Sequence, residues 1–239
     1  MLESQKTTIL PEFNKLVKQI KHLGFDGVLY SFYPMYMYNK KIQPVLHNCE
    51  NFTPFVNHYL ENDYGNQDFV VRLALQGQRE IDWWQEIDSG NTSDEEKKVT
   101  EYSKNNFNIH HGLTIVIPFY KFAVAAVSVV SMSDDTDIFQ NMKNTHLSTL
   151  HECANEYHEN IIDSNKMLQL FISPILEKLN SKAKQVLKHL INGQPMKDIP
   201  NISQKYAEKI LFGLRDDFGG VTTNELIHML GLINLQKHL

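Results

Sequence analysis

The stretch GLTIVIPFYKFAVAAVSVVS, from Gly112 to Ser131, contains the longest apolar segment of the chain. It consists of two runs, GLTIVIPF and FAVAAVSVVS, which are separated by Tyr120 and Lys121. Short continuous runs rich in valine and isoleucine are typical of strands that are buried on both faces. The stretch therefore predicts a buried hairpin, or two adjacent strands, at the centre of the fold.

Helical patterns surround this predicted hairpin along the chain. Apolar residues recur at helical spacing in two places, from Ile9 to Leu23 and, after the hairpin, from Thr136 to Ile161. Between the first helix and the hairpin, the sequence predicts a strand at Gly27–Tyr33, two helical pieces within residues 51–75 broken near Gly65, and a helix capped by Ser93. This order predicts an α+β fold, an α-β-α sandwich with helices on both sides of an antiparallel sheet.

The character of the chain changes after Met167. Val186, Leu187, Leu190 and Ile191 lie on one face of a predicted helix, and Gly193 after them favours a helix stop. Ser203 is placed to cap a helix that reaches about Phe218, and Thr223 to cap a last apolar helix over residues 226–235. Short helices with glycine-marked turns predict an all-α helix-turn-helix domain. We expect a first domain at 1–165, a linker at 166–178 and a second domain at 179–239.

Composition narrows the class of protein. The chain has 239 residues and a net charge of −5, yet residues 179–239 carry eight lysines and arginines against five acids, out of totals of 23 and 28. A mildly basic tail on an acidic body fits a tail that meets a polyanion. The polar residues 1–13 predict no signal peptide, residues 122–130 are too short to span a membrane, and two cysteines make no disulfide framework. We expect a cytoplasmic protein without membrane contact.

No motif for catalysis or for a cofactor stands out. The sequence lacks a Walker loop, a dinucleotide fingerprint and a G-x-S-x-G elbow, so we expect no enzyme, no catalytic residue and no cofactor. His151 and His158 share one helical face, but no third ligand accompanies them. We therefore expect solvated histidines on a polar face and no metal site.

Several spaced residues together resemble the LuxR-type quorum-sensing transcription regulators. The first set is Tyr59, Asp68, Val70 and Val71, with Trp83 fifteen residues after the acid. The second set is Phe107, Ile109 and Gly112–Ile115, and the third is the frame of Leu179, Val186, Leu187 and Gly193. Each set is short, but the order and spacing of all three extend over nearly the whole chain.

The resemblance implies a signal-binding N-terminal domain and a DNA-binding C-terminal domain. In that family the aspartate accepts a hydrogen bond from the amide N–H of an acyl-homoserine lactone, the tyrosine meets an acyl carbonyl and a tryptophan closes the lactone end. Carried over, these roles fall to Asp68, Tyr59 and Trp83, with Ser128 as a second hydroxyl. The predicted pocket residues are Phe55, Tyr59, Asp68, Val70, Trp83, Gly112 and Ser128.

The pocket departs from the family pattern at Phe55. The family has a tryptophan four residues before the tyrosine, and its indole N–H holds the lactone carbonyl, whereas phenylalanine has no donor. The sequence therefore does not specify which head group the ligand carries. Phe69 also replaces the proline that usually follows the aspartate, and a proline there mainly starts a helix.

The C-terminal part departs further. Ala183 replaces a family glutamate, and the chain between Ile199 and Ser203 is about three residues shorter than the family spacing. The predicted DNA-binding residues, on the would-be recognition helix, are Ser203, Gln204, Lys205, Lys209 and Arg215. Glu208, Asp216 and Asp217 on the same helix would repel phosphates.

The leading interpretation is a ligand-responsive regulator that binds double-stranded DNA as a homodimer. The expectation of a dimer comes from apolar residues on the long helix and on the last helix, namely Leu226, Ile227, Leu230, Leu232 and Ile233. One alternative is an interaction protein whose degenerate tail heterodimerises with another regulator. A second alternative is a small-molecule hydrolase on a similar sandwich.

Overall fold

The computed structural model describes residues 11–34, 45–119, 123–163, 179–217 and 220–232. They divide into two compact units, the first with residues 11–33 and 45–160 and the second with residues 34, 161–163, 179–217 and 220–232. The elements follow in the order α1 (Pro11–His22), β1 (Gly27–Pro34), β2 (Val45–Asn48), α2 (Thr53–Glu61), α3 (Phe69–Leu75), β3 (Glu80–Asp82), α4 (Trp83–Asp88), α5 (Asp94–Phe107), β4 (His111–Phe119), β5 (Ala123–Ser131), α6 (Thr136–Asp163), α7 (Ser181–Ile191), α8 (Gln204–Asp217) and α9 (Thr223–Leu232). The predicted linker and the predicted turn at Tyr120 and Lys121 lie outside the described residues.

The first unit contains a five-stranded sheet in the order β2-β1-β5-β4-β3. β1 pairs with β2, β3 with β4, and β4 with β5, each antiparallel. β4 and β5 are the predicted central hairpin strands, and their register places Thr114 opposite Ser128. The α+β class with an antiparallel sheet is confirmed.

The two faces of the sheet meet different helices, because side chains alternate along a strand. On β1, Tyr30 stacks edge-on against Tyr157 of α6, and Phe13 of α1 packs on the same tyrosine. Leu29, Ser31 and Tyr33 point the other way, towards a cavity that α2, α3, α4 and α5 also line. Within the first unit, helices therefore lie on both sides of the sheet.

Local caps explain where several helices begin. Ser93 and Glu96 form the predicted capping box at the start of α5, with both reciprocal hydrogen bonds present. Glu96 also pairs with Arg72 of α3 at 2.5 Å, which ties α3 to α5. Asp68 and Asp82 cap α3 and α4 by accepting the backbone N–H of Val70 and Gln85.

Some local expectations were wrong. His158 is not on a solvated face, because the buried face of α6 carries it onto β1, where its ring accepts or donates a 3.0 Å hydrogen bond with Tyr30. β2, β3 and α4 were not predicted, and each is short. In the second unit, Thr222 rather than Thr223 caps α9, since its hydroxyl accepts the N–H of Glu225.

The second unit consists of α7, α8 and α9 with a three-residue 3-10 helix, Met196–Asp198, between α7 and α8. Gly193 follows α7 with a φ of 68°, as a helix stop requires. Leu226 and Leu230 are fully buried within α9, so the expectation that they form an exposed apolar surface was wrong. Their helical spacing points them into the core of their own unit.

The buried face of α6 also contradicts the expected apolar surface on the long helix. On the described part of α6, Ile138 is the one large apolar side chain that is mostly exposed, at 52%. Among the described residues, none of the helices has the length and apolarity to cross a membrane.

Candidate ligand-binding site

A cavity lies between the sheet and the four helices α2 to α5. The space open to the centre of a water molecule is about 60 Å³, and one water needs roughly 10–15 Å³ by this measure. Most of the described side chains that line it are apolar, and among them only Asp68 is charged. The lining residues with polar groups are Ser31, Tyr33, Tyr59, Asp68, Trp83, Thr100, Ser103, Thr114 and Ser128.

Tyr59 and Asp68 are joined at the wall of this cavity. The Tyr59 hydroxyl donates to Oδ2 of Asp68 at 2.8 Å, and the N–H of Val70 donates to Oδ1 at 2.8 Å. Asp68 is half-buried and lines the cavity. Burial raises the pKa of Asp68 to about 6, although the hydrogen bonds from Tyr59 and Val70 pull it down. Each oxygen keeps a lone pair for a further donor.

Trp83, Thr114 and Ser128 form a second polar group on the cavity wall. The Trp83 indole N–H donates to the Thr114 hydroxyl at 3.0 Å, and the hydroxyls of Thr114 and Ser128 lie 2.8 Å apart. Within this pair one hydroxyl donates to the other, so one hydroxyl hydrogen remains. The described residues offer that hydrogen no further acceptor. The pair can therefore donate one hydrogen bond to a ligand.

Gly112 and Phe55 shape the end of the cavity near Trp83. A Cβ at Gly112 would lie 2.3 Å from the Trp83 ring, so the tryptophan rests directly on the backbone of β4. Phe55 is buried, lines the cavity and packs against Tyr59 and Phe107. Val70 lines the cavity beside Asp68. All predicted pocket residues except Gly112 line the cavity, and Gly112 supports it by seating Trp83.

Five lining residues that the sequence interpretation missed carry hydroxyls, and three of them, Ser31, Tyr33 and Thr114, lie on strands. Ser31 and Tyr33 alternate with the buried Tyr30 and Phe32 on β1, and Thr114 follows Gly112 by two residues on β4. Side chains two residues apart on a strand share a face, and Gly112 and Ser128 were already assigned to the cavity. This alternation was the signal that could have identified the missed strand residues.

Three of the serine and threonine hydroxyls that line the cavity are hydrogen-bonded within the protein. Ser103 donates to the Thr100 carbonyl, and Thr114 and Ser128 pair with each other. The described lining residues include neither a histidine nor a lysine that could act as a base. In the described part of the chain, no cluster of histidine, cysteine and acidic side chains is arranged to hold a metal ion.

The predicted DNA-binding residues lie at the start and along α8 of the second unit. Ser203 precedes the helix and accepts the N–H of Tyr206, while Lys205 and Lys209 are exposed. Arg215 donates to the carbonyl of Val221 at 2.7 Å, and the Gln204 amide donates to Glu208 at 2.9 Å. Three of the five side chains, those of Ser203, Gln204 and Arg215, are thus engaged within their own unit.

Exposed aromatic side chains accompany these charges on α8. Phe212 is 71% exposed and Tyr206 is 43% exposed. Lys182 of α7 lies over the Tyr206 ring, with its Nζ 5.0 Å from the ring centroid. The exposed face of α8 is therefore mixed in charge and partly aromatic, where phosphate binding favours a basic face.

Residues 13–161 match the family model described as "Autoinducer binding domain". Among solved structures, SdiA of Escherichia coli is similar over 94% of this chain and 90% of that one, with a TM-score of 0.50 and 12% identity. At this identity the likeness shows the fold alone. No protein with a curated description matches the chain.

Two further solved structures are similar over a smaller part of this chain. One is an N-acylhomoserine lactone dependent LuxR family transcription factor, CepR2 from Burkholderia cenocepacia, with 12% identity, a TM-score of 0.47 and coverage of 61% of this chain and 81% of that chain. The other is the VqsR LBD domain from Pseudomonas aeruginosa, with 12% identity, a TM-score of 0.42 and coverage of 62% and 94%.

Proposed function

We propose, from the premise that this chain belongs to the autoinducer binding domain family, that its first unit binds a small amphipathic signal molecule. The observation that carries the proposal is the cavity itself, which is mostly apolar and has, among its described lining residues, a single charged side chain, Asp68. Pockets with few convergent polar groups orient a ligand and discriminate among ligands. An acyl-homoserine lactone or a related acyl amide has the matching pattern of a long apolar chain and one polar centre.

The polar groups of the cavity match one secondary amide. Asp68 can accept the N–H through a lone pair that Tyr59 and Val70 leave unused. The pair of Thr114 and Ser128 has one hydroxyl hydrogen to donate to the carbonyl. A ligand that satisfies both groups pairs the carboxylate and this hydroxyl, and leaving either one buried without a partner would weaken binding by about 1–3 kcal/mol.

We propose that the second unit contacts double-stranded DNA, so that the whole chain acts as a signal-responsive transcription regulator in the cytoplasm. Ser203, Gln204, Lys205, Lys209 and Arg215 are the proposed contacts, and the homodimer is proposed on the two-fold symmetry of operators. Lys205 and Lys209, both exposed on α8, support this proposal.

The described geometry also favours a second candidate, an interaction protein that modulates another regulator. Before α8, where a helix-turn-helix would require a first helix, the structure has the three-residue 3-10 helix Met196–Asp198. Arg215 and Gln204 are already bonded within the unit, and Phe212 is exposed where a basic face would be expected.

A gel-shift titration in low salt separates the two candidates. The wild type is compared with the double variant Lys205→Ala, Lys209→Ala and with Lys97→Ala, Lys98→Ala as a control of equal charge on α5 of the first unit. DNA binding by the wild type and the control, with loss in the double variant and steep salt dependence, supports the regulator. If all three proteins bind DNA equally weakly and the binding does not change with salt, the result supports the interaction protein.

A further inference from the structure

A second, smaller cavity adjoins the end of the main cavity near Phe55 and Trp83. Its space open to the centre of a water molecule is about 10 Å³, enough for roughly one methyl-sized group. The residues that line both cavities are Leu29, Phe55, Val56, Trp83 and Ser128. Because these side chains line both spaces, a ligand group at this end of the main cavity lies beside the second cavity.

The lining of the second cavity is almost entirely hydrocarbon. Besides the shared residues it consists of Val28, Phe52, Ile109 and Val130. The ring of Phe52 rests against the backbone of β1, where a Cβ at Gly27 would lie 1.7 Å from it, so this wall is closely packed. The shape and chemistry of this end therefore suit a compact apolar group.

Hydrogen-bond donors are few among the residues that line both cavities. Phe55 has none, and the Trp83 N–H is already given to Thr114. The remaining hydroxyl hydrogen of the pair of Thr114 and Ser128 suffices for one carbonyl. If that carbonyl belongs to the amide, a second carbonyl in the head group would be desolvated without a donor, and binding would weaken.

We propose that the signal carries, beyond its amide nitrogen, a compact apolar head group such as a cycloalkyl or phenyl ring. The acyl chain occupies the main cavity, the amide lies between Asp68 and the hydroxyl pair, and the ring packs against Phe55 and Trp83 with its edge towards Val130. This inference rests on the proposed function of the first unit and specifies its ligand class.

Isothermal titration calorimetry with three ligands of equal chain length tests the inference. The ligands are N-octanoyl-cyclopentylamine, N-octanoyl-aniline and N-octanoyl-homoserine lactone. We expect both apolar amides to bind the full chain at least tenfold more tightly than the lactone. If the lactone binds as tightly as the amides or more tightly, the inference is wrong while the proposed function stands. If none of the three binds, both are wrong.

Two variants localise the effect. Phe55→Trp adds an indole N–H, and it should raise lactone affinity two- to tenfold without a gain for the cyclopentyl amide. Val130→Ile fills the second cavity, and it should weaken N-octanoyl-aniline at least threefold while N-octanoyl-methylamine, which has no ring, binds within twofold of the wild type. Equal changes for ringed and ringless ligands would overturn the placement of the ring.

Phe55→Leu provides the same test if the larger indole prevents folding. Loss of the aromatic wall should weaken the aniline amide at least fivefold and leave the lactone within twofold. An equal loss for both ligands would contradict the inference.

Discussion

The hydroxyl of Tyr59 donates a 2.8 Å hydrogen bond to the carboxylate of Asp68, nine residues further along the chain. This bond connects α2 to the start of α3, and the Val70 N–H holds the other carboxylate oxygen. Both oxygens are therefore positioned without a ligand. An acceptor fixed in this way loses little freedom on binding, which favours affinity.

Asp68→Asn tests the role of this acceptor. Asparagine keeps the shape and still caps α3, but it removes the charge and one acceptor oxygen, so affinity for an acyl amide should fall by about 1.5–3 kcal/mol. Calorimetry measures the affinity, and circular dichroism checks that the fold survives. Asp63→Asn, an exposed change of the same kind, is the control and should bind normally. Unchanged affinity in Asp68→Asn would show that Asp68 does not accept a hydrogen bond from the ligand amide.

Ligand affinity should depend on pH near 6. An amide N–H favours the ionised carboxylate, and the Asp68 pKa of about 6 in the free protein means that protonation competes with binding below that pH. Affinity for an uncharged amide should therefore drop up to about tenfold between pH 7.5 and pH 5. Titrations of wild type and Asp68→Asn at both pH values check this, and the variant should show a flat profile. A flat profile in the wild type would contradict the account.

The free protein should lose stability in mild acid because of two buried histidines. Burial lowers the pKa of His47 and of His158 to about 4, whereas an unfolded histidine titrates near 6.5. Between these values the unfolded state binds more protons, so the contribution present above about pH 6.5 is lost as pH falls towards 4. At pH 5, each histidine should lower the free energy of unfolding by roughly 1–2 kcal/mol.

Urea unfolding at pH 7.5 and pH 5 measures this loss. Asp68 offsets part of it, because a raised carboxyl pKa stabilises the folded state at low pH and this contribution is lost as pH rises through about 6. His47→Gln keeps a partner for the Tyr157 hydroxyl, which now lies 2.8 Å from Nδ1. The variant should lose clearly less stability than the wild type over the same interval, and an identical loss would show that His47 does not contribute.

Gly112→Ala should damage the cavity through Trp83. The added methyl would sit 2.3 Å from the indole ring, so the ring must move and its hydrogen bond to Thr114 is strained. Overpacking of this kind costs about 1–3 kcal/mol of folding free energy. Gly213→Ala in α8 is the matched control, because nothing lies within 4 Å and alanine favours a helix. Thermal unfolding should show a lower melting temperature for Gly112→Ala than for Gly213→Ala. An unchanged melting temperature in Gly112→Ala would show that the position of Trp83 does not depend on this glycine.

The sequence predicted the parts of the fold that have strong periodicity or a recognisable cap. β4, β5, α5 and α6 were expected close to where they lie, because their apolar runs and the capping box at Ser93 act locally. β3 contains only Ile81 as an apolar residue, and β2 is four residues long, so neither has enough positions to show alternation. β2 forms by pairing with β1, and β3 forms by pairing with β4. Both partner strands are distant in sequence, so the local pattern does not predict the pairing.

The site could be predicted as a set of residues but not as a network. The family resemblance singled out Tyr59, Asp68 and Trp83 as separate contacts of a ligand. Their hydrogen bonds to one another and to Thr114 depend on how α2, α3 and α4 sit over the sheet. His158 was assigned to the wrong face for the same reason, since a helix pattern does not say which histidine meets a tyrosine of another element.

Mass spectrometry of the small molecules that co-purify with the protein from the cells that make it tests the central claim most directly. The wild type and Asp68→Asn are compared after identical purification and extraction. We predict one uncharged compound with an apolar chain and a secondary amide, near one per wild-type chain and depleted in the variant. A hydrophilic compound in its place, or identical extracts from the two proteins, would contradict a cavity that binds its signal through Asp68.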